Sequence, residues 1–302
     1  MDKYDVYLYG MTIISNSYLL KDHFPELDTY GEISKNYTLP GGETATAATV
    51  LSSLGCSVKL DGNHLGTNTY YRIKDFYKDK SVDILSMFFD ESYEGLEDLV
   101  LIDKNTRTCF GRFQAYFSDK ENRRWNTPKK EDIEFAKVAA IDPFFFDESE
   151  LAAKLCCELN KKYVSIDCKY DTFMHRRSAV NVISNEFIKT NYKDVPIDEL
   201  FQKYTNNSDG LVIFTFGAKE ILFGRKGSEA NRFKPYNIDV VSTLGAGDTF
   251  KAGATYGLYK DMDDEELVNF ASAAAAVACS SFPLPLNPPT LEKIKLLQDS
   301  RK

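Results

Sequence analysis

The sequence is poor in the residues that hold metals and in the long apolar runs that cross membranes. Its three histidines are too scattered for a zinc site, and its six cysteines include no Cys-x-x-Cys pair. No uninterrupted apolar stretch is long enough to span a bilayer, and the charged N-terminus does not resemble a signal peptide. These absences predict a cytoplasmic protein with reduced thiols, no metal site of its own and no membrane partner.

Two large classes of nucleotide-binding protein are also missing their motifs. There is no Gly-x-x-x-x-Gly-Lys-Ser/Thr segment, which argues against an NTPase with that phosphate loop. No Gly-x-Gly-x-x-Gly opens a first helix, which weakens the case for a dinucleotide oxidoreductase. The net charge of −8 argues against nucleic acid as a partner. The 302 residues, 43% of them hydrophobic, can form one large α/β domain or two domains.

Strand-like and helix-like segments alternate through the second half of the chain. This alternation predicts a mostly parallel central sheet with helices on both faces. Ligands of such sheets bind beyond the carboxyl ends of the strands. The residues that follow the predicted strands are polar or glycine: Asp142, Asp167, Asn185, Thr215, Gly217 and the loop 245–248.

Extended segments are predicted outside this alternation as well. Met11–Leu20 is rich in Thr, Ile and Ser, and Asp28–Leu39 alternates weakly between apolar and polar residues. Leu99–Ile102 and Thr106–Phe117 look like two strands joined by a polar turn at 103–105.

Two glycine-containing segments precede predicted helices. Pro40-Gly41-Gly42 leads into an Ala/Thr-rich helix, where backbone amides could meet a ligand or simply form a strand-to-helix turn. Gly245-Ala246-Gly247-Asp248 follows two β-branched residues and opens a second helix. Amides at that helix start would form an anion cradle, and Asp248 could take a proton from a hydroxyl beside it. The alternative is a plain helix start at which Asp248 complements the helix dipole.

These segments together resemble the ribokinase-like family of sugar kinases over nearly the whole chain. Pro40-Gly41-Gly42 resembles the family's N-terminal Gly-Gly motif, and residues 241–250 resemble its C-terminal Asp-Thr-x-Gly-Ala-Gly-Asp motif. Thr215-Phe216-Gly217 resembles its nucleotide loop, and residues 270–276 resemble the helix beside the adenine.

The resemblance implies a three-layer α/β sandwich with a mostly parallel central sheet, formed by residues 1–302 as a single domain. A small β lid is expected from about 11–39 and 99–117. The implied activity moves the γ-phosphoryl group of ATP, accompanied by Mg²⁺, to a hydroxyl of a sugar-like molecule. Asp248 would be the general base, and Gly245, Ala246 and Gly247 would form the anion hole.

The remaining site residues are implied in the same way. The nucleotide would lie along Asn185, Thr215, Gly217 and Ser272. The acceptor would be bound by Ser15, Asn16, Gly41, Gly42, Thr46 and Asp142.

The chain departs from the family pattern at several positions. Ser15 stands where the family has an Asp that grips sugar hydroxyls, and Thr46 stands where an Asn is expected. Ile188 replaces the Glu of the Asn-x-x-Glu motif, and Ser242 replaces the leading Asp of the C-terminal motif. These changes argue against a ribose- or fructose-type acceptor and against a monovalent-cation site.

Two other functions stay open on the sequence alone. One is a nucleoside kinase of the same fold, since aromatic residues are abundant enough to stack a base. The other is a non-catalytic sugar or nucleotide sensor, suggested by the lost Asp and Glu, although the retained Asp248 argues against it. An exposed lid strand could also pair across a homodimer.

Overall fold

The computed structural model describes residues 3–103, 107–119 and 122–301. Its strands are β1 (Tyr4–Gly10), β2 (Ile13–Leu20), β3 (Ile33–Gly41), β4 (Val58–Gly62), β5 (Val82–Asp83), β6 (Glu97–Ile102), β7 (Arg107–Gly111), β8 (Ala136–Ile141), β9 (Lys162–Ile166), β10 (Val180–Ser184), β11 (Leu211–Thr215), β12 (Ile221–Gly224) and β13 (Asn231–Phe233). Its α-helices are α1 (Glu43–Ser53), α2 (Tyr70–Tyr77), α3 (Phe113–Ser118), α4 (Lys130–Glu134), α5 (Phe146–Glu158), α6 (Phe173–Arg177), α7 (Asn185–Asn191), α8 (Ile197–Asn206), α9 (Ala246–Tyr259), α10 (Asp264–Cys279) and α11 (Leu291–Asp299).

Nine strands form the central sheet, in the order β13-β12-β11-β10-β9-β8-β1-β4-β5. From β11 to β5 all neighbouring strands are parallel, whereas β12 and β13 pair antiparallel at one edge. The central strands are buried on both faces, as in β1, whose residues Val6 to Tyr9 are at most 1% exposed. The predicted α/β class with a mostly parallel sheet is confirmed.

Helices α9 and α10 pack closely because α9 carries two glycines on the face toward α10. A β-carbon at Gly253 would lie 2.7 Å from the Cα of Ala271, and one at Gly257 would lie 2.8 Å from Cγ of Leu267. Such separations are far below van der Waals contact, so larger residues would push the helices apart. This packing holds the middle and the C-terminal half of α9 against α10, and Asp248 lies in the first turn of the same helix.

A second, four-stranded sheet has the order β3-β2-β6-β7. β2 pairs antiparallel with β3 and parallel with β6, and β6 pairs antiparallel with β7. Ser15 on β2 is thereby in register with Leu39 on one side and Asp98 on the other. All four strands overlap the segments predicted to be extended, but β3 continues to Gly41 and β6 begins two residues earlier, at Glu97.

The prediction of one strand over Thr106–Phe117 is wrong beyond Gly111. There the chain turns into α3, whose Phe113, Tyr116 and Phe117 pack into an aromatic cluster at helical spacing. Thr106 and turn residues 104 and 105 lie outside the described residues. Helix α8 was not predicted, although its buried Leu200, Phe201, Tyr204 and Thr205 also follow a helical period.

Candidate active site

A cavity of about 300 Å³ lies at the carboxyl edge of the central sheet and is bounded on one side by the second sheet. Three groups of predicted residues meet in it. From the C-terminal loop come Gly245, Gly247 and Asp248; from the Gly-Gly turn and α1 come Gly41, Gly42 and Thr46; from β2 comes Ser15. The structure therefore brings together segments that are more than two hundred residues apart in sequence.

The loop before α9 places Asp248 through a glycine with a left-handed backbone. Gly245 has φ of 78° and is the N-cap of the helix, a conformation that costs glycine little. Asp248 consequently falls in the first turn of α9, where backbone amides lack helical acceptors. The amide of Ala246 already donates to the carbonyl of Thr243 at 3.2 Å. Ala246 does not line the cavity, so Gly245 and Gly247 are the better candidates for the anion hole.

The carboxyl group of Asp248 has a raised pKa. Burial is the main cause, and the negative charge of Asp142 acts in the same direction, whereas Lys251 and Arg107 oppose it. A carboxylate that binds protons more readily than usual is a better general base for an alcohol.

The Gly41-Gly42 turn brings the backbone close to β2. Gly42 has φ of 81° and is the N-cap of α1. A side chain on Gly41 would collide with the hydroxyl group of Ser15, so the glycine leaves space for Ser15 at the cavity wall. The turn is thus both a helix start and a wall of the cavity.

Glu43 was not predicted to belong to the site, yet it lines the cavity as the first residue of α1. Its pKa is raised to about 8, first by burial and then by the charges of Asp248 and Asp142. Its own backbone amide and Lys251 act in the opposite direction. Near neutral pH Glu43 is therefore protonated and adds no negative charge beside Asp248.

We expect this proton to set an alkaline limit on activity. A carboxyl group whose pKa is about 8 is neutral below that pH and charged above it, and the new charge would repel the phosphates of a bound nucleotide. In wild type kcat/KM for ATP should fall above about pH 8, whereas in Glu43→Gln it should stay level. Steady-state kinetics from pH 6 to 9.5 measure both.

The matched control is Glu131→Gln, which alters an exposed acidic residue in the first turn of α4. It should keep the wild-type profile. An alkaline decline of equal steepness in Glu43→Gln would show that another group titrates.

Asp142 is placed differently from the prediction. Its Oδ1 lies 2.5 Å from Nζ of Lys251, both side chains are 1% exposed, and the hydroxyl of Thr44 donates to its other oxygen. Asp142 does not line the cavity, and a β-carbon at Gly10 would collide with its carboxyl group. The structure gives Asp142 a buried ion-pair partner in place of the predicted contact with the acceptor.

Asn16 is also placed away from the cavity, because side chains alternate between the two faces of a strand. Its amide donates to the carbonyl of Asp98 at 3.3 Å and accepts from the hydroxyl of Thr38 at 2.9 Å. It lines a different cavity, of about 720 Å³. Of the predicted β2 pair, only Ser15 lines the cavity that contains Asp248.

The predicted nucleotide residues lie on or near α7, β11 and α10, outside the cavity wall. Asn185 begins α7. Thr215 is the last residue of β11 and is in register with Ser184 of β10. Gly217 has φ of 65°, and Ser272 is buried in α10. None of these four lines the 300 Å³ cavity, whereas Glu186, Asp167 and Ser184 do. Their contact with a nucleotide stays a prediction.

The second sheet contacts the C-terminal loop directly. Nη1 of Arg107 on β7 donates to the hydroxyl of Thr243 at 2.8 Å and to its carbonyl at 3.3 Å. Arg107 also lines the cavity. The loop that precedes α9 is thus hydrogen bonded to the second sheet.

This fold is shared with known ribokinases. The chain superimposes on the structure of Arabidopsis thaliana ribokinase complexed with ribose and ATP, with a TM-score of 0.79, 15% identity and coverage of 99% of each chain. Residues 5–283 match the pfkB family carbohydrate kinase profile. The chain therefore belongs to the pfkB family of carbohydrate kinases.

Relatives in this family include kinases for different acceptors. A nucleoside kinase of Methanothermobacter thermautotrophicus is 29% identical over 271 residues, which cover 84% of this chain and 83% of the relative. A 5-dehydro-2-deoxygluconokinase of Listeria innocua is 27% identical over 127 residues, 42% of this chain and 37% of the relative. The match thus spans less than two thirds of the length of that relative.

Within the described residues, no helix is both long and apolar enough to cross a membrane.

Proposed function

We propose that the chain transfers the γ-phosphoryl group of ATP to a hydroxyl of a sugar or sugar-like molecule. The observation that carries this proposal is the position of Asp248. It lies in the first turn of α9, in a cavity whose other walls are the Gly41-Gly42 turn and the second sheet. A carboxyl group, a helix start and room for an acceptor are thus found in one place.

The proposed reaction is an in-line displacement at the γ-phosphorus. The acceptor hydroxyl gives its proton to Asp248 as its oxygen bonds to phosphorus, and the bond to the leaving ADP oxygen breaks. The amides of Gly245 and Gly247 would stabilise the charge on the transferring group.

Mg²⁺ is expected to accompany ATP. Among residues 3–103, 107–119 and 122–301, no three metal-ligating side chains form a cluster, but Asp167 and Glu186 line the cavity. This suits Mg²⁺, which commonly uses one or two carboxylates together with substrate phosphates and water. When bound, it would neutralise charge on the phosphates.

We further propose that the second sheet is a lid over a single α/β domain, because its β7 contacts the loop before α9 through Arg107 and Thr243. The edge strands β3 and β7 carry the exposed Ile33 and Phe110 and could pair in a homodimer. A reaction that consumes ATP is expected in the cytoplasm.

A panel of acceptors with ATP and Mg²⁺ tests the activity through ADP release. D-ribose, D-fructose, D-gluconate, D-glucosamine and adenosine represent the chemical classes of acceptor. We expect ADP with a sugar of the panel and a phosphorylated product by mass spectrometry. ADP release with adenosine alone would favour a nucleoside kinase, the activity named for the relative that is 29% identical. Nucleotide binding by calorimetry with no ADP from any acceptor would favour the sensor.

A further inference from the structure

Asp98 lies in the second sheet, on the face that covers Asp248. On β6 it is in register with Ser15 of β2 and Gly111 of β7, so the three residues form one row across the sheet. Paired residues of neighbouring strands point to the same face, and both Ser15 and Asp98 line the cavity. The row therefore presents a carboxyl group to the site.

One oxygen of this carboxyl group has no partner. Oδ1 of Asp98 is buried and makes no hydrogen bond. Burial raises the pKa of Asp98 to about 6, and a hydrogen bond with Ser15 offsets only part of the effect. Buried polar atoms are normally paired, and an unpaired one costs free energy unless a ligand completes it.

The missing partner can come from a molecule in the cavity. The terminal torsion of an Asp side chain is broad and roughly two-fold, so rotation about the Cβ–Cγ bond can present either oxygen to a bound acceptor. A carboxylate accepts hydrogen bonds and can bind two neighbouring hydroxyl groups at once. Ser15 supplies a hydroxyl that both donates and accepts.

We propose that Asp98 is the specificity residue of the acceptor site, binding two adjacent hydroxyls of a neutral polyol together with Ser15. This inference rests on the proposed kinase activity and adds the class of acceptor to it.

The charges around the cavity favour a neutral acceptor over a sugar acid. The carboxyl-bearing residues that line it are Glu43, Asp98, Asp167, Glu186 and Asp248. The cationic residue in the described lining is Arg107, and it already donates to Thr243. Glu43 is protonated near neutral pH, but the other four carboxyl groups still outnumber the one cation. An anionic acceptor would therefore meet mainly like charge, which discriminates against it.

The polar neighbours that interact with Asp98 lie on β2 and β7, and two further charged groups act on one of them. Ser15 on β2 hydrogen bonds to it, and Cys109 on β7 has a pKa raised by burial and by the Asp98 charge. Arg107 on β7 and Glu186 on α7 act on the same Cys109 thiol, in opposite directions. Any pH effect assigned to Asp98 must therefore be absent from a variant that lacks only this carboxyl group.

The substitution Asp98→Asn tests the proposal in the full chain. The acceptor is the member of the panel that gives ADP with wild type. We expect the KM for this acceptor to rise roughly 10- to 100-fold, as for loss of a hydrogen bond to a charged group. Both kcat and the KM for ATP should stay within about twofold of their wild-type values. The control is Glu97→Gln on the same strand. Glu97 lines only the 720 Å³ cavity, whereas Asp98 lines both, so the control should leave the acceptor KM unchanged.

The pH dependence separates binding from a structural role. Asp98 must be ionised to accept two hydroxyls, so wild-type KM for the acceptor should rise as pH falls through about 6. In Asp98→Asn this rise should be absent. An unchanged KM and an unchanged pH profile in Asp98→Asn would overturn the assignment.

The thermal stability of Asp98→Asn, measured without acceptor, distinguishes loss of acceptor binding from poor folding of the variant. Because the folded-state pKa is raised, ionised Asp98 destabilises the protein above about pH 6 and the penalty fades at lower pH. The Tm of Asp98→Asn relative to wild type should therefore be higher at pH 8 than at pH 5. A lower relative Tm at pH 8 would show that Asp98 is a structural residue.

The two proposals fail in different ways. If no acceptor gives ADP with wild type, the kinase proposal fails first. If only D-gluconate gives ADP, the proposed kinase activity is supported and the proposed site for a neutral polyol is contradicted. If D-glucosamine is preferred over D-fructose, the carboxylate binds an amine, which contradicts the adjacent-hydroxyl assignment.

Discussion

Asp248→Asn is expected to lower kcat by about 10²- to 10⁴-fold, the range typical of a general base. The amide keeps the shape of the side chain but cannot take the proton of the acceptor hydroxyl. KM for ATP should change little, because the amides of the loop are unaltered. The change in kcat is measured as the rate of ADP release at saturating ATP, with the acceptor that the panel identifies.

The fold should survive this substitution. The pKa of Asp248 is raised by burial, so its ionised form costs stability at neutral pH, and removing the charge should leave Tm equal or higher. Asp147→Asn is the matched control, since Asp147 is exposed in the first turn of α5. Wild-type turnover in Asp248→Asn, with an unchanged Tm, would remove the base from the mechanism.

The sequence predicts the position of Asp248 because the signal is local. A glycine with positive φ, a helix start and a carboxylate follow one another within four residues, and short motifs of this kind are visible without tertiary structure. The sheet class could be predicted for a similar reason, since the alternation of strands and helices is a property of the chain order.

Which side chains line the acceptor part of the cavity could not all be predicted from local motifs. Ser15 and Asn16 are neighbours in sequence but lie on opposite faces, and the strand boundary decides which one enters the cavity. Asp98 meets Ser15 only through pairing of β2 with β6, which depends on long-range register. Glu43 was visible in the sequence, but its proximity to Asp248 requires the packed structure.

Asp142 lies at the predicted edge of the sheet, but its buried ion pair was not predicted. Its position after a strand correctly indicated the carboxyl edge of the sheet. The role of Asp142 depends on Lys251, which lies one helical turn beyond Asp248. Lys251 is buried and forms an ion pair with one carboxylate oxygen of Asp142. A buried lysine in a run of small and apolar residues was the available signal, because lysine is rarely buried without a partner.

Lys251→Met is expected to destabilise the protein by roughly 3–5 kcal/mol, because it leaves Asp142 as an uncompensated buried charge. The methionine is similar in length and apolar, so the loss arises from the charge rather than from a cavity. Chemical denaturation at pH 7.5, with the midpoint and slope fitted separately, measures it.

The double variant Lys251→Met/Asp142→Leu distinguishes the ion pair from general sensitivity of the site. Replacing both partners of a buried pair by apolar residues is often neutral, so the double variant should recover much of the stability lost in Lys251→Met. Lys203→Met is the exposed control: Lys203 pairs with Glu199 on the surface of α8, and its loss should cost below about 1 kcal/mol. Equal losses in Lys251→Met and the double variant would mean that the Asp142 charge is not the cause. Recovery would show that the loss in Lys251→Met arises from the unpaired charge of Asp142, and that the ion pair itself adds little net stability.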